Sequence, residues 1–119
     1  IGNGLNADFI SHDPAVVAAY KADPLVHDRI SARLAAFIAE TGPVTIAAAP
    51  SWTVPTLLLY AGDDKLVNPA GSRAFAASAP QAMVSTHCFE GMYHEIFNET
   101  APQRALVFAE LKRWLDARF

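Results

Sequence analysis

The sequence predicts an α/β fold, with a helical segment followed by a strand–helix–strand–helix run of parallel sheet. Three observations carry this expectation. The first part, residues 1–52, is rich in alanine and repeats its apolar residues at helical spacing. A short unbroken apolar run, Thr56-Leu57-Leu58-Leu59-Tyr60, then turns polar at once, as a strand buried on both faces of a parallel sheet does. A second run, Met83 to Phe89, follows after a helical interval, and this order implies parallel strands joined by crossovers. The chain is therefore expected to divide into residues 1–52 and residues 53–119.

Ser11-His12-Asp13-Pro14 offers cap residues ahead of an early helical proline, so a short helix is expected over Ala15 to Lys21. Asp23-Pro24 ends it, because the residue before proline is pushed out of the α region. A longer helix is expected from Asp28 to Glu40, with Ile30, Leu34, Phe37 and Ile38 on one apolar face. Thr41-Gly42-Pro43 should break it, leaving a brief helical turn over Val44 to Ala49. After the first strand, Pro69 to Ser78 reads as a helix. The last helix, Pro102 to Arg118, carries an apolar stripe of Leu106, Phe108, Leu111, Trp114 and Leu115. Two strands make a poor sheet, so further strands are expected from outside these residues.

Composition narrows the function. Across 119 residues, 52% hydrophobic and 18% charged content argues for a globular piece rather than disorder. The net charge is −3 and no Lys/Arg run tracks a phosphate backbone, so nucleic acid is not an expected partner. No stretch reaches the roughly 18 apolar residues of a membrane span. The single cysteine, Cys88, excludes an internal disulfide and is compatible with a reducing cytoplasm. No His/carboxylate set has metal-ligand spacing, so no metal is expected.

Parallel sheets bind their ligands at the carboxyl ends of the strands. Two segments of chemical interest fall there: Gly62-Asp63-Asp64-Lys65-Leu66-Val67 after the first strand, and Glu90-Gly91-Met92-Tyr93-His94-Glu95 after the second. A histidine acting as general base needs its tautomer fixed, usually by a carboxylate on its other ring nitrogen. Taken singly, an aspartate in such a loop is more often a turn former, and a lone histidine more often a surface or packing residue. The pairing of the two loops, in this order and at this end of the strands, favours chemistry.

The stretch Val54 to Val67 followed by Phe89-Glu90-Gly91-Met92-Tyr93-His94-Glu95 resembles the C-terminal signature of the monoacylglycerol lipase and lysophospholipase group of α/β-hydrolases. That resemblance implies a Ser–Asp–His triad acting on carboxylic esters without a cofactor, with Asp64 as acid and His94 as base. Asp63 is the less favoured acid. It also implies that Ser11-His12-Asp13 and Lys21 to Leu25 belong to a cap over the active site. The remainder of the hydrolase domain would be this chain's structural partner, an ester or lipid its substrate, and a membrane surface a peripheral contact through the cap. Leu34, Phe37, Ile38, Leu66 and Val67 are candidate substrate-lining residues, although the Ile30 to Ile38 face reads first as core.

The family's Gly-x-Ser-x-Gly elbow is missing: none of Ser11, Ser31, Ser51, Ser72, Ser78 and Ser85 has the elbow's glycines. The chain opens on Ile1 without methionine and is expected to be the part of a larger hydrolase that follows its nucleophile. Neighbours in a strand point to opposite faces, so His87 and Cys88 are expected to be structural rather than a dyad. His12 and His27 are expected to cap or pack, and Trp52 and Trp114 to pack.

Overall fold

The computed structural model describes all residues, 1–119. Four helices and two strands follow in the order α1 (Pro14–Ala22), α2 (Ala32–Ala48), β1 (Thr56–Ala61), α3 (Ala70–Ser78), β2 (Val84–Phe89) and α4 (Ala101–Asp116). β1 and β2 pair in parallel, with Thr56 opposite Val84 and Ala61 opposite Phe89. The predicted α/β order is therefore present, with α3 as the crossover.

Helix α1 starts where the sequence places its cap: the Asp13 carboxylate accepts from the Ala15 N–H at 2.9 Å, and Pro14 occupies the first turn. Helix α2 departs from expectation at both ends. It begins at Ala32 rather than Asp28, because Asp28 to Ile30 are engaged in extended pairing with the first residues. The Asn3 N–H donates to the Asp28 carbonyl at 2.7 Å, and the Ile30 N–H to the Ile1 carbonyl at 2.9 Å. Ser31 then caps α2 by accepting from the Leu34 N–H. Further along, Thr41-Gly42-Pro43 does not break the helix, which runs to Ala48 with Pro43 inside it.

Proline costs a helix one N–H and some crowding, but its fixed φ is itself helical. What holds the turn beyond it is tertiary. Ala49 is wholly buried in a cluster with Ala79 and Val84, packed by Trp52, Leu58, Phe75 and Met83. Trp52 meets Phe75 edge to face at 5.2 Å and donates its Nε1–H to the Thr56 hydroxyl, so it packs as expected.

A second cluster lies under the strand ends: Ala61, Phe89, Met92, Ile96 and Val107, with Leu59 against it. Val107 is the fully buried side chain of α4, while Leu106, Phe108 and Leu115 of the predicted stripe are 60%, 50% and 40% exposed. Leu111 and Trp114 of the stripe are half-buried on the same side as Val107, so α4 turns inward a narrower face than expected. The two-stranded sheet is too narrow to cover the wider stripe. The same narrowness leaves Thr56 to Tyr60 half-buried rather than buried on both faces.

Only 11 of 119 residues are buried. The radius of gyration is 15.8 Å, against about 13.5 Å for a compact chain of this length. These 119 residues thus carry more open surface than a self-sufficient domain. No helix is long and apolar enough to cross a membrane.

Candidate active site

The end of β1 and the end of β2 are stitched to each other by backbone. The Gly62 N–H donates to the Phe89 carbonyl at 2.9 Å and the Asp63 N–H to the Met92 carbonyl at 3.2 Å. Gly62 permits this approach: a Cβ there would lie 2.9 Å from the Glu90 Cα. Gly91 turns the second loop back over the sheet at φ +77°, a left-handed conformation that glycine adopts without strain. Beneath both loops, Met92 and Ile96 anchor the histidine segment in the Val107 cluster.

This scaffold sets His94 against Asp64, with Nδ1 of the ring 2.8 Å from Oδ2 of the carboxylate. The aspartate side chain is 11% exposed and the histidine side chain 39%. Asp64 uses its two carboxylate oxygens differently. Oδ1 accepts from the Leu66 and Val67 N–H groups at 2.8 and 2.9 Å, the turn-forming role, and Oδ2 faces the imidazole. Burial works against ionisation of Asp64. The Val67 N–H, the His94 ring and the Leu66 N–H outweigh it and hold the carboxyl below the ordinary aspartate range. Asp63 turns away and pairs with Lys65. Asp64 therefore keeps its charge, and the Nδ1–H that it accepts leaves Nε2 as the ring nitrogen able to take a proton.

The candidate lining residues separate. Phe37, Ile38 and Val67 share an open, mainly apolar cleft of about 570 Å³ with Trp52, Leu58 and Phe75, between α2 and the β1–α3 layer. Leu66 instead lines a smaller hollow of about 160 Å³ near Ile10 and Tyr20, and Leu34 lines neither. His87 is exposed and lies against Phe89, while the Cys88 thiol meets Glu90, so the two do not form a dyad. His27 accepts from the Arg29 N–H. The Arg118 guanidinium lies 4.0 Å over the ring of Trp114.

One constellation had no reading in the sequence. Glu99 is completely buried and its carboxylate accepts four hydrogen bonds, from the N–H groups of Tyr93, His12 and Thr100 and from the His12 ring. Burial opposes its charge. The Tyr93 N–H, the His12 ring and the two further N–H groups prevail and hold its pKa below the ordinary range. Glu99 lies just ahead of α4. Nothing in its spacing joins it to His12, 87 residues away.

Comparison with known proteins identifies the family. The family model described as serine aminopeptidase, S33, matches residues 1–101. A monoacylglycerol lipase of Mycolicibacterium smegmatis is 38% identical over 112 residues, which is 93% of this chain and 39% of that protein. A crystal structure of monoacylglycerol lipase from Paleococcus ferrophilus superposes with a TM-score of 0.87 at 30% identity, over 98% of this chain and 45% of that one. A soluble variant of monoglyceride lipase from Saccharomyces cerevisiae, in complex with a substrate analog, gives 0.84 at 26% identity over 100% and 44%. The chain spans less than half the length of these relatives. On the match across its first 101 residues, and with the sheet and helices of part of an α/β-hydrolase fold, this chain belongs to the serine aminopeptidase S33 family.

Proposed function

We propose that this chain supplies the acid and the base of a Ser–His–Asp triad in a carboxylic ester hydrolase, with the nucleophilic serine outside these 119 residues. The observation that carries the reading is the 2.8 Å contact between His94 Nδ1 and Asp64 Oδ2 at adjacent strand ends. In the complete enzyme, His94 Nε2 takes the serine proton as the oxygen attacks the ester carbonyl. It returns that proton to the leaving alcohol, and the cycle repeats with water to release the acid. Asp64 stays ionised throughout and stabilises the imidazolium. The chemistry asks for no cofactor.

The names of the relatives support monoacylglycerols as substrates; lysophospholipids and esters with smaller acyl groups belong to the same reading through the resemblance of the Asp64 and His94 segments. The apolar cleft lined by Phe37, Ile38 and Val67 suits an acyl chain. Residues 1–52 would form the cap and residues 53–119 the end of the hydrolase core. Exposed Leu25, Phe37, Ile38 and Val44 on that cap suit peripheral contact with a lipid surface. The lone cysteine suits action in the cytoplasm.

The family's description as an aminopeptidase supports peptide hydrolysis as the second reading. A fluorophosphonate probe on the complete protein tests the triad, since it labels an activated serine. Labelling that requires His94 is expected, and absence of labelling in the folded protein contradicts the proposal. Parallel rates on a p-nitrophenyl ester and an aminoacyl p-nitroanilide separate esterase from peptidase.

A further inference from the structure

The segment just before α1 is clamped to the loop that bears His94. The Glu95 N–H donates to the Ile10 carbonyl at 2.9 Å. The hydroxyl of Ser11, a buried residue, donates to the Asn98 carbonyl at 2.9 Å and accepts from the Asp13 N–H. The Tyr93 ring is stacked on the His12 imidazole, with centroids 3.6 Å apart and planes at 19°, and meets Phe9 edge to face. Glu99 lies at the centre. Its Oε1 accepts from the Tyr93 N–H at 2.7 Å and faces His12 Nδ1 at 2.8 Å, while Oε2 accepts from the His12 and Thr100 N–H groups at 3.1 and 3.2 Å.

A wholly buried carboxylate is costly unless every lone pair is used. This one spends its bonds on the residue immediately before His94 and on the segment leading into α1. Asp64 sets the ring of His94, but a hydrogen bond to one nitrogen does not fix the backbone from which the ring projects. That backbone is fixed ahead of His94 by Met92 in the core and by the Tyr93 N–H held by Glu99, and after it by the Glu95 N–H held by Ile10.

We infer that Glu99, braced by His12, is a positioning residue for His94, acting through the Tyr93 backbone and tying the entry of α1 to the base. The inference rests on the reading of His94 as the general base. Glu99 and His12 touch no reacting atom. Their effect is on the place of the ring, so it falls on turnover rather than on substrate binding.

The test uses the complete hydrolase carrying Glu99→Gln, His12→Phe or His12→Asn, with His94→Ala alongside, assayed on p-nitrophenyl butyrate. Glutamine keeps the shape but not the charge. Phenylalanine keeps the stacking on Tyr93 but loses the donor, and asparagine keeps a donor near the Nδ1 position. Expected are a fall in kcat of about 100-fold for Glu99→Gln, as displacement of a catalytic group by about 1 Å produces, with KM little changed. A smaller fall is expected for His12→Phe, largely recovered in His12→Asn. The downfield imidazole proton shared by His94 and Asp64 should weaken or shift in the same order in proton NMR spectra.

Folded Glu99→Gln or His12→Phe enzyme with wild-type kcat and an unmoved imidazole proton overturns the inference. So does a loss of activity that only follows the unfolded fraction in circular dichroism. If Glu99→Gln does not fold, the two His12 variants decide. Wild-type activity in His94→Ala would mark failure of the base assignment itself, whereas an inactive His94→Ala beside fully active Glu99→Gln and His12→Phe marks failure of the positioning role alone.

Discussion

Asp64 divides its carboxylate between two tasks: Oδ1 closes its own turn on the Leu66 and Val67 N–H groups, and Oδ2 receives His94 Nδ1 at 2.8 Å from 30 residues away. The turn therefore aims the second oxygen, and Asp63 next to it is left to Lys65.

Exchange of the acids should separate them. Asp64→Asn keeps the turn's acceptor but presents the wrong partner to the ring, so kcat of the complete enzyme should fall on the order of 10,000-fold. Asp63→Asn should change it little. Equal losses in steady-state assays of the two variants would mean that the orienting acid is misassigned.

Gly62 is expected to tolerate no side chain. A Cβ at Gly62 meets the Glu90 backbone at 2.9 Å, and the loop ends cannot part without breaking the Gly62 to Phe89 hydrogen bond. Gly62→Ala should cost about 1–3 kcal/mol, the range for overpacking, and lower activity by moving Asp64. A denaturation midpoint equal to wild type would show that the loops separate freely.

Stability should depend on two carboxylates. Asp64 and Glu99 both have pKa values below their ordinary ones in the folded chain, so the unfolded chain binds more protons when acidified. Their contribution is thus fully present above the ordinary carboxyl range, about 4 to 4.5, and is lost as pH falls through the depressed folded values. Urea midpoints of the complete protein should drop on acidification below that range, and Glu99→Gln should flatten the curve. Parallel curves for wild type and variant would place the acid sensitivity elsewhere.

The isolated 119-residue chain should neither hydrolyse esters nor stay monomeric. Its accessible surface is 7742 Å², against about 6,300 Å² for a folded monomer of its mass. Each strand has a single partner, which leaves edges open to pairing. Stopped-flow assay with a chromogenic ester and light scattering test both points. A stoichiometric acyl burst would reveal a nucleophile within these residues.

The legible parts of this fold are those decided locally. The run Thr56 to Tyr60, the Asp13-Pro14 start of α1 and the Asp64 turn are short stretches whose neighbours along the chain settle their conformation. His94 was legible by its motif, although Ile10 and Glu99 also hold its loop. The parts that could not be read depend on distant residues. Pro43 stays helical because Ala49 is locked against Ala79 and Val84, and Ile30 is extended because Ile1 offers it a carbonyl. Leu106, Phe108 and Leu115 stay exposed because only a narrow two-stranded sheet receives α4. Glu99 was silent for the same reason, since its donors come from both ends of the chain.

The most direct measurement is the ester hydrolysis rate of His94→Ala in the complete protein, with folding checked by circular dichroism. The account predicts a loss of several orders of magnitude, because the serine then has no base and the leaving alcohol no acid. Retention of more than about a tenth of wild-type kcat/KM by the folded variant would mean that another group does this work.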